Sequence, residues 1–227
     1  MQRTRYALLA ALLPQTCLLC GETAPDQPLC PACAGELPLL TGPYCPQCAL
    51  PTAHGESCGA CLRQPPAFDA VHTAFRYAFP LDALIREFKY HGQFALAGFF
   101  AANLLPHLPP ARFDGILPMP LHPQRLQERG FNQAKLLAQP LARARSETLD
   151  PHSCQRLRPT PPQAQTAISE KRNNVRNAFF CNQDLSGLRL LLVDDVLTSG
   201  ATAHECARTL KLHGAERVDV AVVARAG

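Results

Sequence analysis

The chain has 227 residues, enough for one large domain or two small ones, and its 47% hydrophobic content is ordinary for a globular protein. This composition argues against an intrinsically disordered chain. The formal net charge is +4, but residues 112–176 alone carry eleven basic and five acidic side chains, a local charge of +6. A positive field in the middle of the chain suits an anionic ligand.

The first sixteen residues imitate a secretory signal, because two arginines precede an apolar run at residues 7–13. Pro14 ends this run without a small-x-small cleavage site, and the run is too short to span a membrane. We interpret residues 1–16 as an amphipathic helix that packs on the rest of the protein, with a signal peptide as the alternative. No other stretch approaches transmembrane length, so we expect a cytoplasmic protein without a transmembrane segment.

Eight of the eleven cysteines form four Cys-x-x-Cys pairs within one short region. They are Cys17, Cys20, Cys30, Cys33, Cys45, Cys48, Cys58 and Cys61. Nine residues separate the first pair from the second and the third from the fourth, and the whole unit repeats after 28 residues. Two Cys-x-x-Cys turns can present four thiolates to one Zn²⁺, so the pattern predicts two structural zinc sites.

Disulfide bonds are the alternative interpretation, but a reducing compartment favours zinc. A region with so few large apolar residues does not build a core alone, whereas structural zinc contributes on the order of 10–16 kcal/mol. The duplication favours two ribbons made of consecutive pairs, although an interleaved cross-brace stays open. Gly21 and Gly59 each follow a cysteine directly, where a tight turn needs space. We place this zinc-ribbon domain at residues 17–64. The remaining cysteines are interpreted as packing residues: Cys154, Cys181 and Cys206.

A Pro-rich joint leads into a second domain, which we place at residues 67–227. Residues 71–77 are typical of a strand, and Pro80 opens a helix with four apolar positions. Residues 94–105 predict an apolar helix that is buried on most sides. Residues 114–119 predict a short buried strand.

Two basic segments follow this short strand. The first is a candidate anion loop ahead of a helix expected from about Phe131, and it contains Arg125, Arg129 and Gly130. A solvated basic turn is the alternative for this segment. The second segment, residues 155–179, carries five basic side chains and three prolines. Its length predicts a mobile lid over an anion site, with an exposed linker as the alternative.

Residues 188–214 carry the strongest local pattern. A continuous apolar run at residues 190–193 predicts a strand buried on both faces, and Asp194 and Asp195 follow at its carboxyl end. A helix with one apolar face follows, ends at Gly214, and leads to another buried strand at residues 217–224. Strand, helix and strand predict a right-handed βαβ unit, in which ligands bind at the carboxyl ends of the strands.

A loop of mostly small residues connects this acidic pair to the helix. It consists of Leu197, Thr198, Ser199, Gly200, Ala201 and Thr202. Gly200 allows a close approach of the backbone to a ligand, and successive N–H groups at a helix start form an anion site. No lysine follows the glycine, so the loop is not a Walker A loop. Carboxylates accept hydrogen bonds from ribose hydroxyls, so the pattern suits a sugar phosphate; two solvated aspartates in a plain turn are the alternative.

The string VDDVLTSGAT resembles the ribose-phosphate motif of type I phosphoribosyltransferases. This resemblance implies an α/β domain with a parallel sheet flanked by helices. It also implies that Asp194 and Asp195 hold the ribose hydroxyls of phosphoribosyl pyrophosphate together with Mg²⁺, and that residues 197–202 bind its 5-phosphate.

The order of the segments, from the Cys-x-x-Cys pairs through PLHPQRLQERGFNQA and RPTPPQ to VDDVLTSGAT, resembles the ComF family over nearly all of the chain. That family joins a cysteine-rich zinc region to a phosphoribosyltransferase-like domain. The resemblance places His122, Arg125, Arg129 and Gly130 at the pyrophosphate loop. It implies an association with competence and external DNA, and partners such as single-stranded DNA, a DNA-uptake helicase or other competence proteins.

Two functions stay open at this point. One is Mg²⁺-dependent phosphoribosyl transfer, in which Arg125 and Arg129 stabilise the departing pyrophosphate and the acidic pair steadies the ribose. The other is a non-catalytic, single-stranded nucleic-acid-binding protein that keeps the phosphoribosyltransferase fold.

Overall fold

A computed structural model describes residues 16–159 and 175–227. The predicted N-terminal helix, apart from its last residue, and the middle of the basic segment at residues 155–179 lie outside this part of the chain. In the described part, a parallel sheet is packed between two layers of helices, and the cysteine-rich region lies along one edge of the sheet.

The sheet has four strands in the order β1-β6-β5-β2, and all neighbours are parallel. Its strands are β1 (Ala70–Arg76), β2 (Gly115–Pro118), β5 (Arg189–Leu197) and β6 (Arg217–Arg225). A separate antiparallel pair consists of β3 (Cys154–Arg156) and β4 (Phe179–Cys181). The predicted parallel sheet with flanking helices is confirmed, as is the unit of strand, helix and strand at its centre.

The helices are α1 (Pro31–Gly35), α2 (Gly59–Arg63), α3 (Leu81–Tyr90), α4 (Ala95–Leu104), α5 (Pro123–Arg129), α6 (Gln133–Arg145) and α7 (Ala201–Leu212). A short 3-10 turn, Leu105–His107, follows α4. Within the described ranges, none of these helices has the length and apolar character needed to cross a bilayer.

Strands β5 and β6 form the buried centre of the sheet. Along β5, Leu191 and Val193 pack with α3, α4 and α6, whereas Leu190 and Leu192 pack with α7. Successive side chains of a strand point to opposite faces, so an uninterrupted apolar run is needed where helices cover both faces. This explains the continuous apolar pattern at residues 190–193.

Strand β5 is longer than expected, because it continues through the acidic pair to Leu197. The neighbouring strand β6 continues alongside it and pairs Asp194 with Val222 and Leu197 with Arg225. The prediction that the two aspartates follow the strand is therefore wrong. They lie within its last four residues, so the backbone ladder fixes their position.

Helix α4 is less buried than predicted. One face packs into the core through Leu96, Ala97, Phe100, Ala101 and Leu104. The opposite face exposes Ala95, Gly98 and Ala102. These residues expose little apolar area, so this face needs no cover.

The segment between β2 and α6 contains a helix that was not expected. Helix α5 begins at Pro123, and the His122 ring nitrogen Nδ1 accepts a hydrogen bond from the Gln124 N–H at 3.3 Å. Proline is favourable at the first position of a helix because its missing N–H has no partner there anyway. Gly130, with φ +79°, ends α5, and the helix expected from Phe131 begins at Gln133.

The cysteine-rich region consists of two copies of one structure, the first ribbon (residues 17–33) and the second ribbon (residues 45–61). The Cys17 N–H donates to the Glu22 carbonyl at 2.7 Å, and 28 residues later the Cys45 N–H donates to the Leu50 carbonyl at 2.8 Å. Helices α1 and α2 are related by the same shift. The duplication in the sequence is therefore a duplication in the backbone.

The expected role of the two glycines that follow cysteines holds for only one of them. Gly21 has φ +78°, as a tight turn requires. Gly59 instead begins α2. The equivalent of Gly21 in the second ribbon is Ala49, which takes φ +56°. The left-handed position follows the second cysteine of each ribbon, whatever residue occupies it.

Both edges of the sheet are covered. The segment that joins the two ribbons lies along β1, where the Leu40 N–H donates to the Ala74 carbonyl at 2.9 Å. At the other edge, the Ile116 N–H of β2 donates to the Thr148 carbonyl at 2.8 Å.

Candidate functional site

A cavity of about 360 Å³ opens at the carboxyl ends of β2 and β5. Ten of the twelve predicted ligand-binding and catalytic residues line it: Asp194, Asp195, Leu197, Thr198, Gly200, Ala201, Thr202, His122, Arg125 and Arg129. Gly130 and Ser199 line other cavities. Segments that are some 70 residues apart in sequence thus meet at one place, as expected for the carboxyl edge of a parallel sheet.

The acidic pair is joined by a lysine that was not predicted. The Lys89 ammonium Nζ of α3 lies 2.7 Å from Oδ1 of Asp195, whose side chain is only 5% exposed. The other oxygen of Asp195, Oδ2, is buried without a hydrogen-bond partner in the described residues. Lys89 is four residues after the buried Ile85, on the core-facing stripe of α3. A lysine at a position where the helical period calls for an apolar residue was the available signal.

Asp194 ionises less readily than an ordinary aspartate. Burial and the negative charge of Asp195 raise the pKa of Asp194 to about 7, against the opposing effect of Lys89 and Arg156. Burial disfavours the charge of Lys89, but its contact with Asp195 prevails and raises the pKa of Lys89. Near neutral pH, Asp194 therefore changes protonation readily, and a ligand that brings a cation or hydroxyl donors favours its ionised form.

Helix α5 contributes two arginines to the cavity that contains the acidic pair. Arg125 and Arg129 are four residues apart and thus lie on one face of the helix, and both line the cavity. The Arg129 guanidinium lies 5.2 Å from the centre of the Tyr90 ring and donates to the Gln133 side-chain oxygen at 2.5 Å. Arg156 of β3 adds a further positive charge to the lining. The cavity thus has a carboxylate side and a cationic side.

The 197–202 loop forms the third side of the cavity. Gly200 has φ +76° and precedes α7, so Ala201, Thr202 and Ala203 provide the first N–H groups of a twelve-residue helix. All three of these residues line the cavity. The N-terminus of such a helix carries partial positive charge and N–H donors that intrahelical bonds do not use, which suits a phosphate group.

The eight ribbon cysteines form two separate clusters of four consecutive ligands: Cys17, Cys20, Cys30 and Cys33 in the first ribbon, and Cys45, Cys48, Cys58 and Cys61 in the second. Within each cluster, all sulfur atoms lie within 4.8 Å of one another. The arrangement in consecutive pairs is thus the observed one, and the interleaved cross-brace is absent. The three other cysteines are buried outside these clusters.

The cluster geometry fits zinc. The sulfur–sulfur distances are 3.7 Å for Cys20 and Cys30 and 3.6 Å for Cys48 and Cys58. Four sulfurs at about 2.3 Å from a tetrahedral Zn²⁺ are about 3.8 Å apart, whereas a disulfide bond is about 2.05 Å long. Burial opposes ionisation of Cys17, but surrounding backbone hydrogen bonds prevail and lower its pKa to about 6. The spacing of the sulfur atoms in each cluster thus suits four thiolates around one structural zinc ion.

Comparison with known proteins agrees with this architecture. The double zinc ribbon domain family matches residues 8–62, and the phosphoribosyl transferase domain family matches residues 157–227. The latter match includes β5, α7 and β6, while β1 and β2 complete the same sheet from outside it. The fold and the site place the protein in the class that joins a double zinc ribbon to a phosphoribosyltransferase domain.

Similarity to three known proteins identifies the family within this class. The DNA utilization protein YhgH of Salmonella typhimurium is 34% identical over 200 residues, which cover 85% of this chain and 88% of the relative. The protein of the same name from Escherichia coli O157:H7 is 36% identical over 184 residues, 78% of this chain and 81% of the relative. Competence protein F of Haemophilus influenzae is 32% identical over 209 residues, 87% and 90% of the two chains. The chain belongs to the ComF family.

Proposed function

We propose that the protein binds phosphoribosyl pyrophosphate with Mg²⁺ and acts as a cytoplasmic phosphoribosyltransferase in DNA utilisation or nucleotide metabolism. One observation carries the proposal: a single cavity brings together the acidic pair, a helix N-terminus and the cationic helix α5. The names of the relatives, which concern DNA utilisation and competence, support this biological setting.

The three sides of the cavity match the three parts of this ligand. Asp194 and Asp195 accept hydrogen bonds from the ribose 2- and 3-hydroxyls, or bind these hydroxyls through Mg²⁺. The Oδ2 atom of Asp195, which has no hydrogen-bond partner in the described residues, is an available acceptor for such a group. The 197–202 loop takes the 5-phosphate on its backbone donors. The pyrophosphate lies toward Arg125 and Arg129, whose guanidinium groups suit phosphate oxygens.

The same arrangement supports transfer of the ribosyl group. The bond between the anomeric carbon and pyrophosphate breaks, so positive charge develops on the ribose and negative charge on the leaving oxygen. The acidic pair stabilises the former, and the arginines of α5 stabilise the latter. Lys89 keeps Asp195 in place through their 2.7 Å contact. Bound Mg²⁺ would neutralise part of the pyrophosphate charge.

Calorimetric titration with phosphoribosyl pyrophosphate and Mg²⁺ tests binding. In the double variant Asp194→Asn, Asp195→Asn, each carboxylate becomes an amide that accepts less well. Hydrogen bonds to charged groups contribute about 1.5–3 kcal/mol each, so affinity should fall roughly a hundredfold or more. Asp82→Asn, on the same helix as Lys89 but outside the cavity lining, is the control and should bind normally.

Two results would contradict the proposal: no binding by the native protein, or equal binding by native and double-variant proteins. Turnover is measured separately by isotope exchange between pyrophosphate and phosphoribosyl pyrophosphate in the presence of candidate acceptors. Exchange that requires Arg125 and Arg129 supports the transferase role assigned to α5.

A second candidate function is binding of single-stranded nucleic acid. Aromatic rings are exposed beside the cationic helix: Tyr90 is 64% and Phe94 is 52% exposed, and Phe94 contacts Phe131 edge-on at 4.9 Å between ring centres. Exposed rings next to arginines can stack bases and hold phosphates. This patch lies at the rim of the cavity, because Tyr90 also lines it.

A further inference from the structure

Arg225, the last residue of β6, lies between the 197–202 loop and the second ribbon. Only 8% of this residue is exposed. Its Nε donates to the Cys48 carbonyl at 2.7 Å. Its Nη1 donates to the carbonyls of Leu197 at 2.9 Å and Thr198 at 2.6 Å. One guanidinium thus connects the backbone of a zinc ligand to the backbone of the loop.

The surroundings of Arg225 explain why a buried cation is tolerated there. In the described residues, Arg225 forms no ion pair with a carboxylate. It lines a cavity of about 90 Å³ together with Cys48 and Cys61 of the second ribbon. Four thiolates around one Zn²⁺ carry a net negative charge, so a zinc ion in the second ribbon would give that ribbon the counter-charge that a buried guanidinium needs.

The linker after the second ribbon reinforces this contact. The Ala67 N–H donates to Nδ1 of His204, in the first turn of α7, at 3.0 Å. The ring of Phe68 lies behind Gly200, where an added Cβ would be 3.7 Å from it. The first ribbon has a different environment, because Cys17 and Cys30 pack with the core cluster that includes α3 and α4.

We propose that Arg225 is a positioning residue through which the second zinc site, and not the first, sets the geometry of the 197–202 loop. When the second ribbon loses its metal, the Cys48 carbonyl loses its fixed place and the guanidinium no longer holds the carbonyls of Leu197 and Thr198. The N–H groups that follow these carbonyls then lose their common direction. The consequence for ligand affinity rests on the proposed function, since the ligand of the loop is the 5-phosphate of phosphoribosyl pyrophosphate.

The duplication provides a matched pair of variants, Cys58→Ser and Cys30→Ser. The two positions are equivalent in the two ribbons, and both cysteines are partly exposed. Each variant should retain one of two zinc ions. The N–H groups of His204 and Ala226 donate to the loop carbonyls of Gly200 at 2.8 Å and Leu197 at 3.0 Å. Their amide hydrogen exchange, relative to amides of β2, should be about tenfold faster or more in Cys58→Ser and nearly unchanged in Cys30→Ser. Equal effects of the two variants, or no effect of Cys58→Ser, would overturn the proposal.

Arg225→Lys tests the connecting residue with both metal sites intact. Lysine keeps the positive charge, but it lacks the planar guanidinium group with which arginine reaches three carbonyls. Zinc content should stay at two per chain, while loop exchange rises and affinity for phosphoribosyl pyrophosphate falls about tenfold or more. Arg76→Lys, at the exposed neighbouring position on β1, is the control and should change neither quantity.

The two readouts separate this inference from the proposed function. If the native protein does not bind phosphoribosyl pyrophosphate, the proposed function fails, but the exchange comparison still decides the role of Arg225. If the native protein binds the ligand and Arg225→Lys leaves both affinity and exchange unchanged, the positioning role is wrong. If Arg225→Lys does not fold, the comparison of Cys58→Ser with Cys30→Ser gives the decision.

Discussion

Replacing Asp194 by asparagine is expected to stabilise the ligand-free protein above neutral pH. In the folded protein the pKa of Asp194 is raised from 3.8 to about 7 by burial and by Asp195. A carboxyl group with a raised folded-state pKa favours the protonated folded form, so the free energy of unfolding falls as pH rises from about 4 to about 7 and is level above. Asparagine is uncharged throughout and avoids this loss.

The structure sets an upper limit on the effect. A difference of about three pKa units corresponds to about 4 kcal/mol, since each unit is worth 1.36 kcal/mol. Asp194 is only partly buried at the mouth of the cavity, so solvent screens part of this interaction. We therefore expect Asp194→Asn to gain roughly 1–3 kcal/mol at pH 8 and close to nothing at pH 4.

Asp195→Asn is the matched variant, and it is expected to lower the free energy of unfolding rather than raise it. It removes the carboxylate that lies 2.7 Å from the Lys89 ammonium and leaves a mostly buried cation without its partner. Breaking such a pair costs about 3 kcal/mol or more, so this variant should be destabilised at pH 8.

The assay is urea unfolding of the zinc-loaded protein at several pH values without Mg²⁺ or phosphates. The expected result for Asp194→Asn is a gain in the free energy of unfolding that grows between pH 4 and pH 7 and then stays constant. A gain that is independent of pH, or destabilisation at pH 8, would refute the reasoning that places a repelled carboxylate at Asp194.

Two further predictions concern the ribbons and the aromatic patch. Elemental analysis of the reduced protein should find two zinc ions per chain, and one in Cys45→Ser; one or none in the native protein, with mapped disulfides, would overturn the zinc assignment. If single-stranded DNA binds beside α5, its affinity should fall with salt at a slope of about −0.7 per phosphate contact, and replacing Arg125 and Arg129 by glutamine should flatten that slope. A salt-independent affinity, or no binding at low salt, would rule out the nucleic-acid candidate.

The sequence was most informative where the signal is local. The spacing of the cysteines predicts the metal clusters because two ligands of a Cys-x-x-Cys turn come from one short piece of backbone. The apolar run at residues 190–193 predicts a doubly buried strand for a similar reason. The segment between β2 and α6 was predicted to be an anion-binding loop, but Pro123 occupies a first helical position, where proline is favourable, and α5 begins there.

The remaining features depend on partners that are distant in sequence. Lys89 belongs to the cavity only because α3 packs its carboxyl end beside β5, more than a hundred residues later in the chain. The extension of β5 to Leu197 depends on the ladder with β6. Arg225 looks like the end of an apolar strand, and its role arises from carbonyls on two other segments. Such pairings are set by packing, which a single sequence does not display.

The covered edges of the sheet explain why the two halves of the chain belong together. An uncovered β1 would present unpaired N–H and C=O groups, a template on which a second chain can add a strand. The segment between the ribbons occupies those groups through the Leu40–Ala74 hydrogen bond and the neighbouring bridge between Leu39 and Phe75. The cysteine-rich region therefore protects this edge of the phosphoribosyltransferase domain, and we expect a fragment that starts at residue 67 to self-associate through β1.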